Sequence, residues 1–265
     1  MSTLFSTTSD DYAFTSFSTL TIPPSTTLED PSTPAGKTWA DTIEAYLSHP
    51  DTGFVWWGRL HDNPEVVKLI VDWTTPTPRT PIPDMPIQST TTTFYNLGAW
   101  APTRTNALST RPGSTSALLT FHFPPSFTPT SPSATAPSRT HEELWSEAFT
   151  HFNSSVLHSA GGVVSSSSAS SWSVTPPSSS SSTPTTFIAI FRYTTPDAFR
   201  QHLEAMAQKT WLEGGLERLW GMTSGGVDVE FADLWAFEEG WLGGVTQTKK
   251  EKGGLALAKG LSFRG

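Results

Sequence analysis

The chain contains no cysteine and few charged residues. Without cysteine it has no disulfide, no thiolate nucleophile and no thiolate-ligated metal site. Its 16 Lys and Arg stand against 24 Asp and Glu, a net charge of −8, so the basic face of a nucleic-acid-binding protein is not expected. It also lacks an apolar run near the roughly 20 residues of a membrane-spanning helix, and its first residues lack the pattern of a secretory signal. We therefore expect a cytoplasmic protein with no nucleic-acid or membrane partner.

Hydroxyl and aromatic side chains are abundant instead. The 265 residues include 34 serines, 40 threonines, 22 prolines and 19 glycines, which predicts long loops. The 11 tryptophans and 16 phenylalanines supply apolar surface for a packed core, which a disordered chain would lack. At roughly 150 residues per domain, the length predicts one or two domains.

Two stretches of the chain carry the same landmarks in the same order. A strand over 12–22 ends at Pro23-Pro24, and a strand over 116–123 ends at Pro124-Pro125, because paired prolines remove amide donors. An amphipathic helix follows each strand, with Trp39 and Trp145 in comparable places. Thr38 is predicted to cap the first helix, and Thr140 with Glu143 fits a capping box for the second.

Two extended segments follow each helix. In the first half these segments span 54–60 and 66–73, and the turn residues 61–64 join them. In the second half they span 163–174 and 187–193, and a Ser- and Pro-rich connector over 175–186 joins them. Each half then reads Thr-Thr-Pro. Thr195 is placed to cap a helix after the second of these, whereas the prolines over 76–83 predict that the matching helix of the first half is degraded. Final strands are predicted over 91–97 and 227–234.

This order predicts an α+β fold in which each half is a ferredoxin-like βαββαβ unit. The helices cover one face of each sheet, so the two uncovered faces are expected to pack together and form a barrel within one chain. We assign residues 1–110 to the first unit, 111–245 to the second with a Ser-rich loop near 165–186, and 246–265 to a flexible basic tail.

The segment from Thr38 to Trp73 resembles the fungal dimeric α+β barrel proteins, which are similar to antibiotic biosynthesis monooxygenases (ABM-like). The resemblance rests on the helix tryptophan, on Gly53-Phe54-Val55-Trp56-Trp57-Gly58-Arg59, on Asp62-Asn63-Pro64-Glu65 and on an apolar strand that ends in Trp73; a weaker copy runs from Glu142 to Met206. Barrels of this kind include cofactor-free monooxygenases, cyclases, dehydratases, haem-binding proteins and members without known activity. The resemblance therefore indicates the fold more than the function.

Strand alternation selects the candidate catalytic residues. His122 lies on the mixed face of its strand, and Asp72 and Arg192 occupy equivalent positions opposite apolar rows, so all three are predicted to face the barrel interior. In the functional interpretation His122 is the general acid or base, Arg192 steadies an enolate or carboxylate, and Asp72 tunes the histidine. The structural interpretation is a hydrogen-bonded histidine beside an ion pair.

Candidate ligand-binding residues are Trp57, Arg59, Tyr95 and Tyr193, because aromatic side chains suit flat, polyketide-like molecules. His61, in the predicted hairpin loop, is more simply a solvated turn residue. No cluster of metal ligands is evident, and we predict neither a metal nor a cofactor.

Three functions remain open at this stage. The first is a small-molecule enzyme that resembles cofactor-independent ABM-type monooxygenases and acts on a small hydrophobic or aromatic substrate. The second is a non-catalytic ligand-binding barrel. The third is an interaction protein, for which a homodimer is the expected state, because a lost helix would expose apolar surface.

Overall fold

The fold comes from a computed structural model that describes residues 14–23, 25–75, 87, 89–97, 108, 114–124, 126–131, 133, 138–158, 168–174, 185–207, 219, 221–223 and 226–237. Within these ranges the chain forms nine strands and three helices. In chain order they are β1 (Phe14–Thr21), α1 (Pro34–Leu47), β2 (Thr52–Arg59), β3 (Val66–Trp73), β4 (Ser89–Tyr95), β5 (Thr115–His122), α2 (His141–His158), β6 (Ala169–Val174), β7 (Thr186–Tyr193), α3 (Pro196–Ala207), β8 (Val227–Ala232) and β9 (Trp235–Phe237).

Helix α1 begins earlier than the sequence analysis predicted. Its N-cap is Thr33, whose hydroxyl accepts a hydrogen bond from the Gly36 amide, and Pro34 follows in the first turn. The predicted cap, Thr38, is wrong: it lies inside the helix and donates to the Pro34 carbonyl oxygen. A proline at the first helical position costs no hydrogen bond there, which makes the Thr-Pro pair the better start signal.

The caps predicted for the other two helices are confirmed. The Thr140 amide donates to Glu143 Oε2 at 2.7 Å, and the Glu143 amide donates to Thr140 Oγ1 at 3.2 Å, so that the two residues form a capping box. At the start of α3, Thr195 Oγ1 accepts from the Ala198 amide at 3.1 Å. Both helix starts could be predicted because each cap involves residues only three positions apart.

Each half of the chain has the same strand order. The sheet runs β8-β5-β7-β6-β4-β1-β3-β2-β9, with every neighbouring pair antiparallel. Numbered within its own half, each unit therefore has the order fourth, first, third, second, which is that of a ferredoxin-like fold. The two units meet where β4 pairs with β6, through Phe94 with Val174 and Tyr95 with Ser173.

The second seam between the units closes the sheet into a barrel. Strands β8 and β9 follow one another along the chain, yet β8 pairs with β5 and β9 pairs with β2. An isolated bridge between Leu60 and Ala232 joins the two sides. The sequence analysis predicted one strand over 227–234. In the structure β8 ends at Ala232 and β9 begins at Trp235, because the chain passes from β5 to β2 at Asp233 and Leu234. The fold is thus α+β, with two fused ferredoxin-like units in one intrachain barrel.

The core has three layers. One cluster packs α1 on the outer face of the first unit, a second packs the helices of the second unit on its sheet, and a third fills the barrel between the two sheets. The third cluster draws on both units, with Phe17, Trp56 and Ile70 from the first and Leu118 and Ile190 from the second. Burial of this shared interior stabilises the two units together.

Gly58 is needed where β2 passes the β8–β9 junction. A Cβ added there would lie 2.3 Å from the Asp233 carbonyl oxygen, closer than such atoms approach. We expect Gly58→Ala to lower the free energy of unfolding by about 1–3 kcal/mol, because backbone must shift to relieve the contact. Urea unfolding measures the loss. Gly221→Ala is the control, since its Cβ would meet nothing within 4 Å. An equal change in the free energy of unfolding for the two variants would contradict the close approach of β2 to Asp233.

Buried tyrosines make the fold sensitive to alkaline pH. Burial raises the pKa of Tyr46 to about 12 and that of Tyr95 to about 12, and the negative charge of Glu230 adds to the increase at Tyr95. Unfolded tyrosine ionises near about pH 10, so the unfolded chain releases these protons first. Stability should be complete below about pH 10 and fall between about pH 10 and 12, by about 1.4 kcal/mol per pH unit for each tyrosine. Urea midpoints across this window test it, and Tyr95→Phe should make the decline shallower; an unchanged decline in that variant would exclude a contribution from Tyr95.

Several predicted features lie outside the described residues. These are the degraded helix over 76–83, the start of the extended segment predicted over 163–174 (residues 163–167), most of the Ser- and Pro-rich connector (175–184) and the tail over 246–265. The domain boundaries at 110 and 245 stay predictions. In the part of the chain that the structure describes, no helix is long and apolar enough to cross a membrane.

Candidate functional site

A groove of about 320 Å³ lies on the α1 side of the sheet, where β2 meets the β8–β9 junction. This volume is at the lower end of the range for small-molecule sites, roughly 300–1,000 Å³. Both units contribute to it. Its lining consists of Glu29, Trp57, Gly58, Arg59, Leu60, His61, Pro64, Asp233 and Trp235.

Two indoles give the groove its apolar character. Trp57 is almost wholly buried, and its ring meets Trp39 edge to face with centroids 5.3 Å apart, so α1 fixes its orientation. Trp235, on β9, is partly buried and packs against the same cluster, opposite Trp57 in the β2–β9 register. Rigid aromatic surface of this kind binds flat apolar molecules at little entropic cost.

A histidine–aspartate pair forms the polar end of the groove. His61 comes from the β2–β3 loop of the first unit and Asp233 from the β8–β9 junction of the second, and His61 Nε2 lies 2.9 Å from Asp233 Oδ1. The His61 amide also donates to the Phe231 carbonyl oxygen at 2.8 Å, which fixes the loop against β8. The imidazole side chain is 33% exposed. With Nε2–H directed at the carboxylate, the neutral ring presents Nδ1 as its proton acceptor.

Thr115 does not complete a nucleophilic triad. Its hydroxyl lies 3.4 Å from His61 Nε2, the nitrogen that already faces Asp233, and 3.2 Å from the Ala232 carbonyl oxygen. A triad needs the nucleophile and the carboxylate on opposite ring nitrogens. The arrangement therefore suits proton transfer rather than covalent catalysis.

Arg59 holds the other end of the groove together. Its Nε donates to Glu29 Oε1 at 2.6 Å, and its two terminal nitrogens donate to the carbonyl oxygens of Thr26 and Pro64. The guanidinium thus ties the β1–α1 loop to the β2–β3 loop. These bonds stabilise the groove wall, and the predicted ligand-binding role of Arg59 stays a prediction.

The loop that carries His61 is also held by the second unit. Arg200 on α3 lies 2.8 Å from Asp62 and 2.9 Å from Asp197, and its guanidinium carbon is 4.9 Å from the centre of the Phe231 ring. An exposed ion pair is worth little alone, but these contacts add to the backbone bond of His61.

The predicted catalytic residues lie elsewhere. His122 is at the end of β5 on the interior face, with Nε2 2.7 Å from Asp228 Oδ2. Asp72 is fully buried and accepts a hydrogen bond from Thr15 Oγ1 at 2.8 Å, and Arg192 is buried opposite Ser116 in the β5–β7 register. None of the three lines the groove, and their catalytic roles stay predictions.

The predicted ligand-binding residues separate into two groups. Trp57 and Arg59 line the groove. Tyr95 is buried in the interior, where its hydroxyl lies 3.1 Å from Thr186 Oγ1. Tyr193 packs under α3 against Phe199, and its hydroxyl lies 3.1 Å from His202 Nδ1.

Sequence reasoning missed His61, Asp233 and Trp235 as members of one site. His61 is separated from Asp233 by 172 positions, and only the closure of the barrel brings them together. The local signal that was available is Gly58, because a glycine inside an apolar strand often marks a close backbone approach. Among the described residues, no group of three or more potential ligands could hold a metal ion.

The comparisons with known proteins concern the fold. No protein-family model and no curated protein matches the chain. An anthrone oxidase-like protein of known structure is similar with a TM-score of 0.53 at 9% identity, over 88% of this chain and 95% of that chain. The chain has the dimeric α+β barrel fold. At this identity the likeness shows the fold of the barrel and leaves its activity open.

Two other solved structures have lower scores. One, named a putative monooxygenase and from Lactobacillus acidophilus NCFM, has a TM-score of 0.46 at 12% identity, over 86% of this chain and 97% of that chain. The other has the same designation, comes from Fusobacterium nucleatum and has a TM-score of 0.47 at 6% identity, over 86% of this chain and 95% of that chain.

Proposed function

We propose that the chain is an oxidase or monooxygenase of a small aromatic molecule, which it binds in the groove and activates with His61. The observation that carries the proposal is the contact between His61 and Asp233 at the end of an indole-lined groove. The similarity of the fold to an anthrone oxidase-like protein suggests the type of substrate to test.

The proposed chemistry starts with proton removal. A flat ligand lies along Trp235, with its acidic C–H or O–H directed at Nδ1 of His61. His61 takes the proton, and the Asp233 carboxylate stabilises the imidazolium that forms. The electron-rich anion then reacts with molecular oxygen. For anthrone the balance is one molecule of oxygen consumed, anthraquinone formed and one molecule of water released, so the chain's own task is to bind, orient and deprotonate.

Oxygen uptake with anthrone tests the proposal. We expect anthraquinone to form in proportion to the oxygen consumed, above the spontaneous rate, and Asp233→Asn to lose most of the increase because the amide cannot stabilise the imidazolium. Asp51→Asn is the matched control, since Asp51 also faces a histidine, His49, at 3.9 Å but outside the groove.

Two results would overturn the enzymatic proposal. If aromatic compounds quench the tryptophan fluorescence without oxygen uptake, the chain is the ligand-binding barrel of the alternative. If Asp233→Asn turns over anthrone as fast as the unchanged chain does, the reaction does not depend on this pair.

A further inference from the structure

The groove carries more negative than positive charge. Among the described residues that line it, Glu29 and Asp233 are carboxylates, Arg59 is the one guanidinium and His61 is the remaining titratable group. With a neutral imidazole, the two carboxylates and the single guanidinium leave a net charge of −1. An anionic ligand is therefore repelled unless Arg59 binds it directly.

Arg59 is the group in the groove that an anionic ligand would need. A guanidinium binds a carboxylate best through two parallel N–H donors. Here all three of its nitrogens already donate within the chain, Nε to Glu29 Oε1 and the other two to the carbonyl oxygens of Thr26 and Pro64. A ligand carboxylate must therefore compete with these bonds and with the charge of Glu29.

Partial burial keeps this charge balance effective. The Arg59 side chain is 17% exposed and that of Glu29 is 23% exposed, and the two are joined by a contact of 2.6 Å. Charges that are partly buried are screened less by water and salt than exposed charges are. The pairing with Glu29 therefore removes most of the positive potential that Arg59 would otherwise give to this end of the groove.

The proposed reaction makes the charge balance stricter. Proton transfer from an uncharged ligand turns the ligand into an anion and His61 into an imidazolium, so the lining and the ligand together keep their charge of −1. An aromatic carboxylate adds its own charge and must carry a second negative charge after the transfer. Like charges held together in a partly buried site disfavour both binding and ionisation.

We propose that Glu29 determines the class of ligand that the groove takes: by neutralising Arg59, it excludes aromatic carboxylates and other aromatic anions and leaves the groove to uncharged aromatic molecules. Glu29 acts here through Arg59 and does not touch the reacting atoms. The inference rests on the proposed function, because it concerns the same groove, but it is a statement about charge that binding alone tests.

Two ligands with one ring system test the proposal without turnover. They are anthracene derivatives that carry either a hydroxymethyl group or a carboxylate at the same carbon of the central ring, so they are similar in size and differ in charge at neutral pH. We expect the dissociation constant of the carboxylate, measured by quenching of tryptophan fluorescence, to exceed that of the alcohol by about tenfold or more. Raising the salt concentration from about 0.05 M to about 0.5 M should reduce this ratio, because salt screens the repulsion.

A pair of matched variants locates the effect. Glu29→Gln removes the charge, while the amide oxygen can still accept from Arg59 Nε and keep the groove wall in place. This variant should bind the carboxylate about three- to tenfold more tightly than the unchanged chain does and should bind the alcohol as before. Glu147→Gln is the control, because Glu147 pairs with Arg139 at 2.7 Å outside the groove and its loss changes the charge of the chain by the same amount. It should leave both dissociation constants unchanged.

Three results would each overturn the proposal. Equal binding of the two ligands by the unchanged chain would show that the groove does not select by charge. Carboxylate binding that Glu29→Gln leaves unchanged, or that Glu147→Gln strengthens equally, would show that Glu29 does not set the selection. Absence of binding by both ligands would show that the groove does not take this ring system. In each case oxygen uptake with anthrone shows separately whether the proposed function holds.

Discussion

The His61→Asn variant is expected to lose about 10²- to 10⁴-fold in its rate of anthrone oxidation, the usual contribution of a positioned general base. Asparagine can still reach toward Asp233 but cannot accept the proton. Because the imidazole is partly exposed and lies in a loop, the fold should remain, and the melting temperature should change little. Oxygen consumption and anthraquinone absorbance measure the effect, with circular dichroism as the check on folding.

Two further histidine variants make this result specific. His49→Asn alters a histidine that faces a carboxylate outside the groove and should keep its activity. His122→Asn tests the residue that strand alternation selected. If His122→Asn abolishes oxidation while His61→Asn does not, the reaction takes place in the barrel interior and the proposal for the groove is wrong.

The Trp56→Ala variant is expected to lose about 3–5 kcal/mol of folding stability. Trp56 has no exposed surface and lies in the interior cluster that both units build. Its ring also stacks on Phe54, with centroids 5.5 Å apart. The cavity left behind would open into the space between the two sheets, so both units should lose stability together, although the substitution lies in the first.

Urea unfolding followed by fluorescence and by circular dichroism measures this loss. The two probes should give one coincident transition at lower urea, since the units unfold as one. Phe54→Ala, a partly buried neighbour on the same strand, is the control and should cost less. Two separate transitions, of which only one moves in Trp56→Ala, would show that the units are independent.

The architecture could be predicted from the sequence because the signals for it lie within short segments. The proline pairs after β1 and β5, the tryptophans of α1 and α2 and the two Thr-Thr-Pro segments appear in the same order in each half. Each of these signals depends only on the local backbone conformation or on one face of a helix, and residues close in sequence determine both. The placement of His122 on the interior face follows from strand alternation in the same way.

The candidate site was harder to predict from the sequence because it forms only when the barrel closes. His61 has the sequence context of an ordinary turn residue, and Asp233 lies in what was predicted as a continuous strand. Apart from Gly58, nothing close to His61 or Asp233 in the sequence indicates that the chain changes partner after β8, so that β9 pairs with β2 while β8 pairs with β5. That change of partner depends on register and on Gly58, where a side chain would exclude the approach of Asp233. The start of α1 has a local signal in Thr33-Pro34, whereas the apolar stripe that begins at Trp39 favours Thr38 as the cap.

Disulfide trapping across the β4–β6 seam tests the intrachain barrel most directly. The chain has no cysteine, and Phe94 and Val174 are register partners, so a Phe94→Cys/Val174→Cys double variant places two thiols on adjacent antiparallel strands. Partners in such a pair lie about 4.5–5.5 Å apart between Cα atoms, within the range that a disulfide spans. We predict that mild oxidation gives a monomer with one internal disulfide and no free thiol by mass spectrometry. Thiols that stay free, or that link only one chain to another, would contradict a barrel formed within a single polypeptide.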